Sequence, residues 1–346
     1  MNTGNNMICP VFLGAVLWVL SGCVTMPSDN STPTESTGVT AYESDGYYEP
    51  LPPLGKKGYF VQKLAPEVYF FSTGVYNNLF VVTSEGVVIT DPIRGKGRLL
   101  KTAIREVTDR PVRFMIYSHA HMDHIGDAHL FAGEEVQIIA QLETGKMLRR
   151  YKDPDRPVPH INFGMNYTLS IGGVTIDLIY PGEGHGKGNS IIYIPSHRIM
   201  MYVDTVTPKS VPFKNFAYTT DIFSQVRAIK KALKLDFDVY IAGHLHRPGT
   251  REEMEEVLEY YYASKEASKV ALKKVSFLDI RRRSKTRVEK PINGVRGVHP
   301  WPLRYLELVS SHAQGALRHE AKVNAGSLPG RALFLRGRRE ILLQYT

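Results

Sequence analysis

The run Ser118-His119-Ala120-His121-Met122-Asp123-His124 gathers three imidazoles and a carboxylate within seven residues. It follows the apolar stretch Val112 to Tyr117 and precedes Ile125 to Phe131, which reads as a helix. Residues two apart in extended chain point the same way, so His119 and His121 can grip one ion from one side. Asp123 and His124, at the turn into the helix, are then free to face a second ion. Imidazole and carboxylate ligands suit zinc, and the ions of two-metal sites lie about 3.5 to 4 Å apart. Three later segments each put a candidate ligand just after a strand or in a Gly-rich turn: Gly184-His185-Gly186, Val203-Asp204-Thr205 and Ala242-Gly243-His244. Glycines beside His185 and His244 let the backbone crowd a metal without Cβ clashes. Two zinc ions sharing a water lower its pKa from about 15.7 toward about 7. The expected chemistry is therefore hydrolysis, with the resulting hydroxide attacking a carbonyl and Asp123 as the catalytic residue that positions it or accepts its proton.

The elements that must position these groups alternate in type. Short β-rich runs come first, at Tyr59 to Gln62, Val68 to Ser72, Asn78 to Thr83 and Gly86 to Thr90, separated by Gly, Asn or Pro turn signals. An amphipathic stretch, Gly97 to Val107, leads to the strand Val112 to Tyr117. Val136 to Ala140 reads as a strand and Leu142 to Tyr151 as a helix. Tyr167 to Ser170, Val174 to Tyr180, Ser190 to Ile194 and Ile199 to Val203 read as further strands. Helix Asp221 to Leu235 and strand Phe237 to Ile241 follow, and the acidic start and basic end of Arg251 to Lys274 suit a long helix. The order predicts an α/β protein, a four-layer αββα sandwich of two sheets packed face to face with helices outside.

HxHxDH followed in order by a spaced His, Asp and His resembles the metallo-β-lactamase superfamily, over about Tyr59 to Lys274. The resemblance implies that His119, His121 and His185 hold one zinc, that Asp123, His124 and His244 hold a second, and that Asp204 bridges them. It also implies that Asp91, after the strand Val87 to Thr90, orients a ligating histidine from behind. Asn189, after the His185 turn, is a candidate donor to a developing oxyanion, against a turn-stabilising role. The implied activity is that of a binuclear zinc metallohydrolase acting on an ester, thioester, lactone or amide of a small molecule. Tyr202 to Pro208 is similar to the corresponding segment of cysteine-free β-lactamases, which is the first alternative. A non-catalytic, lipid-anchored zinc-binding protein would use the same ligands and is the alternative of another class. Gly243 to Arg251, Gly-His-Leu-x-Arg-x-Gly-Thr-Arg, resembles a segment of uncharacterised hydrolases of this fold and supplies no substrate. Diiron relatives carry Glu where this chain has His121, which argues against oxygen chemistry.

Composition narrows the remaining options. Cys9 and Cys23 are the only cysteines, so the body of the chain can build neither a disulfide nor a thiolate metal site. The net charge of +9 comes from the end: from Arg281 to Thr346 there are 14 Lys+Arg against 4 Asp+Glu. The preceding 280 residues are nearly neutral, and nucleic acid is an unlikely partner. Met7 to Leu20 has the length of a signal-peptide core, although residues 1–6 lack the usual Lys or Arg. Leu20-Ser21-Gly22-Cys23 resembles the bacterial lipobox, which implies acylation of Cys23, and Val24 leans toward the outer membrane. The expected division is a lipoprotein signal peptide (1–22), a flexible tether rich in Ser, Thr, Pro, Gly and acidic residues (23–55), the sandwich (56–275) and a basic, disordered extension (276–346). The expected location is the cell envelope, exported and lipid-anchored. Surface or structural roles are expected for His129, His160, His197 and His246, and no role is assigned to His299, His312 and His319.

Overall fold

In the computed structural model the described residues are 54–274, apart from 209, 211–215, 218, 220 and 246, together with 276 and 278. The signal segment, Cys23, nearly all of the tether, His246 and all but two residues of the C-terminal extension lie outside them.

The first sheet has the order β1-β2-β3-β4-β5-β6-β7, and the second β13-β12-β11-β10-β9-β8. In the first, β1 (Phe60–Lys63), β2 (Val68–Ser72), β3 (Asn77–Thr83) and β4 (Gly86–Thr90) form an antiparallel meander. β5 (Val112–Ile116), β6 (Gln137–Gln141) and β7 (Ile161–Phe163) then run parallel to β4. Parallel neighbours require crossovers, supplied by α1 (Gly97–Val107) and α3 (Leu142–Tyr151). The second sheet contains β8 (Asn166–Ile171), β9 (Val174–Ile179), β10 (Ile191–Ile194), β11 (Ile199–Met201), β12 (Val239–Ile241) and β13 (Gly249–Thr250). Only β11 and β12 pair in parallel there, joined across α4 (Ile222–Ala232).

Alternation of side chains sorts the core into three sheets of contact. Val88, Ile116 and Ile139 of the first sheet meet Ile192, Ile194, Met201 and Ile241 of the second. Val87, Ile89, Ile138 and Ala140 face the other way, onto Leu100, Ala103 and Ile104 of α1 and Leu148 of α3. Ile191, Tyr193, Met200 and Tyr240 face α4 (Ala228, Ile229, Ala232) and α5 (Arg251–Lys274; Met254, Val257, Tyr261). This is the αββα layering that the alternation of elements predicts. β4 is buried along its whole length because both of its faces are covered.

Helix ends are fixed by side chains. Asp127 accepts hydrogen bonds from the amides of Gly95 (2.9 Å) and Gly97 (2.8 Å) at the start of α1. Asp221 caps α4 through the amides of Phe223 and Ser224. Thr250 and Glu253 form a reciprocal capping box on α5, and Arg247 forks onto Glu253 at 2.7 and 2.9 Å. Arg251 donates to the carbonyls of Leu233 and Leu235. Gly243 to Arg251 is thus a latch that ties α5 to the end of the second sheet.

Sequence and structure differ at three places. Ile125 to Phe131 is not one helix: α2 is a single turn (Met122–Ile125), followed by a 3-10 turn at Ala128–Leu130. The break comes at Gly126 and Asp127, because Asp127 reaches back to α1 and its amide donates to Pro92 O. The strands β7 and β13 were not expected, being three and two residues long beside Pro or Gly.

Candidate metal centre

All the candidate ligands follow the C-terminal ends of strands or lie in the loop between β9 and β10. His119 to His124 follow β5, His185 lies in that loop, Asp204 follows β11 and His244 follows β12. Ligand atoms of His119, His121, His185 and Asp204 lie within 4.8 Å of one another, as do those of Asp123, His124 and His244.

Asp204 joins the two groups. Its Oδ2 faces His119 Nε2 at 3.4 Å and His185 Nε2 at 3.2 Å, while its Oδ1 faces His124 Nε2 at 3.2 Å and His244 Nε2 at 3.1 Å. Asp123 Oδ2 stands 3.5 Å from His124 Nε2 and 3.8 Å from His244 Nε2. His121 turns its Nδ1 toward His185 Nε2, 3.1 Å away. His124 and His244 face one another Nε2 to Nε2, also at 3.1 Å.

These atoms fit a cation. His119 Nε2 and Asp204 Oδ1 are buried without a hydrogen-bond partner. Lone pairs converging in a buried space with too few hydrogens to share are costly unless a positive ion completes them. Without an ion, the buried carboxylate of Asp204 would be raised by desolvation, but His124 and His244 hold it well below the usual range. Burial pushes down His119 strongly and His121 less so, the latter helped by His185. His124 goes the other way: burial disfavours its charge, but Asp204, Asp123 and Asp91 outweigh this and lift it to about 9.

Support behind the ligands differs from residue to residue. Asp91 is fully buried and sits at φ 36. It accepts from Ser118 N at 2.8 Å and Ser118 Oγ at 2.5 Å, and Ser118 Oγ lies 2.9 Å from His119 Nδ1. Burial raises its pKa to about 6, against the pull of His124 and Ser118, so it is mostly ionised at neutral pH. An ionised Asp91 accepts a hydrogen bond from the Ser118 hydroxyl, which leaves Ser118 Oγ to accept from His119 Nδ1–H and Nε2 with a bare lone pair. The relay through Ser118 is more specific than the sequence expectation of an acid touching a histidine.

Asn189 is corrected in one respect. Its Nδ2 donates to Val203 O (2.9 Å) and Thr205 Oγ1 (3.2 Å), bracing both sides of Asp204. Both amide hydrogens are engaged there, which leaves none for an oxyanion. Of the glycines beside ligands, Gly243 (φ +84) is needed for space: a Cβ there would stand 2.5 Å from Val203 Cγ1 and 3.1 Å from His124 Cε1. Gly186 faces open space and serves no such purpose. His129 pairs loosely with Asp155, His160 Nδ1 accepts from Ile138 N, and His197 meets Glu67, so none joins the cluster.

Sequence reading missed four supporting residues. Asn78 donates to Asp91 O at 2.8 Å, and Arg156, 7% exposed, donates to Ala120 O at 2.6 Å, between His119 and His121. Asn77 bonds to Gly243 and Leu245, and the Tyr76 ring lies 4.6 Å from that of His244 and 5.7 Å from that of His124. The available signal was the pair Asn77-Asn78 inside an apolar strand, where two poor strand formers must have partners.

A two-sheet sandwich with a His/Asp metal-binding cluster on one edge defines a class of metal-dependent hydrolases. The family model of the metallo-beta-lactamase superfamily matches residues 72–244, and the chain belongs to that superfamily. It is similar to the 2,4-dinitroanisole O-demethylase subunit alpha of Nocardioides sp. (strain JS1661), at 31% identity over 236 residues, 65% of this chain and 70% of that one. It is also similar to the metallo-beta-lactamase type 2 of Elizabethkingia meningoseptica, 23% identical over 198 residues, 53% of this chain and 78% of the relative. Among solved structures, a metallo-beta-lactamase from Pontibacter korlensis shares the fold with a TM-score of 0.54 at 21% identity, covering 59% of this chain and 99% of that one.

Proposed function

We propose that this chain is a zinc-dependent hydrolase that cleaves an ester, thioester, lactone or amide carbonyl of a small molecule. The observation that carries the reading is Asp204, whose two oxygens divide between two separate sets of ligands. Divalent ions held by His119, His121, His185 and Asp204 and by Asp123, His124, His244 and Asp204 would supply activated water at neutral pH and an electrophile for the substrate oxygen. The residues supply everything else. Asp123, with 42% of its side chain exposed, is the ligand carboxylate open to solvent and is placed to orient the nucleophile or take its proton. Buried His119 and His185 close the inner side of the site to bulk water. Ser118 and Asp91 keep His119 in the tautomer that a metal requires.

The test is turnover of chromogenic ester, thioester, lactone and cephalosporin substrates by zinc-loaded protein, with His121→Ala as control. Two equivalents of metal bound with no turnover would favour the zinc-binding alternative. The similarity to an O-demethylase favours a second reading, cleavage of an aryl methyl ether, over the β-lactamase alternative, whose relatives are less similar. 2,4-Dinitroanisole therefore joins the panel, and release of 2,4-dinitrophenol with no carbonyl hydrolysis would replace the first reading by the second. We also propose export and acylation at Cys23. Incorporation of a palmitate analogue into the wild type and not into Cys23→Ala would support it; labelling of both equally, or of neither, would reject it.

A further inference from the structure

The turn that carries His244 is not held by its own sheet alone. Gly243 (φ +84) and Leu245 (φ 56), on either side of His244, are both left-handed. For leucine that conformation is unfavourable by itself, so something outside the turn must impose it. The only elements bonded to the turn's backbone from the other sheet, among the described residues, are the start of β3 and the residues before it. Asn77 N donates to Gly243 O at 2.9 Å, and Leu245 N donates to Val75 O at 3.0 Å. The Asn77 side chain completes the set: Oδ1 accepts from Gly243 N at 3.0 Å, and Nδ2 donates to Leu245 O at 3.0 Å. One fully buried amide thus clamps both neighbours of His244, across a separation of more than 160 residues. The Tyr76 ring, 4.6 Å from the imidazole, limits its rotation from one side.

Among the described residues, no side chain of the second sheet hydrogen-bonds to the backbone of Gly243 or Leu245. The His244 side chain is 27% exposed, while that of His124 opposite is fully buried. From this we infer that Asn77 is a positioning residue for the second metal position: it sets whether His244 reaches the ion shared with Asp123 and His124. The first position draws on His119, His121, His185 and the shared Asp204, whereas the Asn77 side chain bonds to Gly243 and Leu245, so the clamp should bear on the first position far less than on the second. The inference rests on the two-metal reading above and concerns occupancy, so it can be tested without a substrate.

The experiment compares wild type, Asn77→Ala and Asn77→Asp by chelator-competition titration with zinc and by metal content after dialysis, with melting curves of the metal-free proteins. Asn77→Ala loses both side-chain bonds. Asn77→Asp keeps an acceptor for Gly243 N but sets an oxygen against Leu245 O. Wild type is expected to bind two equivalents. Asn77→Ala should hold the first with affinity within about twofold and the second about 10- to 100-fold more weakly, the usual scale for groups that orient a ligand. Asn77→Asp should fall between them. A general loss of structure would lower the metal-free melting temperature and weaken both equivalents together, and that outcome overturns the inference, as does unchanged affinity for both. If wild type itself holds fewer than two equivalents, the two-metal reading fails instead.

Discussion

The two groups of ligands on either side of Asp204 are built by different means. In the first, His119 is 1% exposed and His185 5% exposed while His121 is exposed, and the Asp91–Ser118 relay fixes the orientation of His119 from within the first sheet. Both groups draw on both sheets, but in the second His124 is buried while Asp123 and His244 are partly exposed, and the His244 turn is braced by β3. A histidine locked by burial and a relay, as His119 is, resists perturbation at the rim of the site. A histidine held by a clamp from the opposite sheet, as His244 is, answers to anything that moves either sheet.

The largest effect expected is from the one residue that both groups share. Asp204→Ala should empty both positions and lower turnover on the order of 10³-fold or more, read by metal analysis together with activity; retention of either metal at wild-type affinity would break the symmetry ascribed to Asp204. Asp123→Asn should lower turnover about 10²- to 10⁴-fold while the first group keeps its ion and the fold is intact, measured by kinetics beside circular dichroism. Unchanged activity would remove Asp123 from the mechanism. Ser118→Ala breaks the relay and should weaken the first position about 10- to 100-fold, the converse of the Asn77 variants. Equal weakening of both positions would show that the groups are not separable.

The smallest effect is a proton. With its pKa raised to about 9 by Asp204, Asp123 and Asp91 against the effect of burial, His124 should carry its proton at neutral pH in the metal-free protein. A raised pKa adds stability that is complete below the ordinary value of about 6.5 and is lost as pH climbs through about 9. The metal-free melting temperature should therefore fall over that interval, and zinc uptake at pH 7 should release the His124 proton, measured by calorimetry in buffers of different ionisation enthalpy. Zinc binding with no proton release would place His124 outside the coordination set.

How far the sequence foretold this divides along the same line. The His119 to His124 run was legible because its spacing is local, α1 because it is amphipathic over Gly97 to Val107, and α5 because an acidic start and a basic end mark its two ends. Ligands that follow strands could be picked out one at a time, but nothing local says that Asp204 turns one oxygen each way. Asn77, Asn78 and Arg156 were missed because their partners are backbone atoms from 13 to 168 residues away. The false helix at Ile125 to Phe131 failed for a related reason: Asp127, read as a helical residue, is drawn away by amides thirty residues earlier.

Because the donors run from His119 to His244, no nascent or truncated chain that stops before β12 holds a full set. Contacts of such long range are formed late, after much loop entropy has been lost. On the two-metal reading, capture of an ion by Asp123, His124 and His244 would be a closing event in the maturation of the molecule, and a cell short of that ion would accumulate a folded sandwich waiting for its final seal.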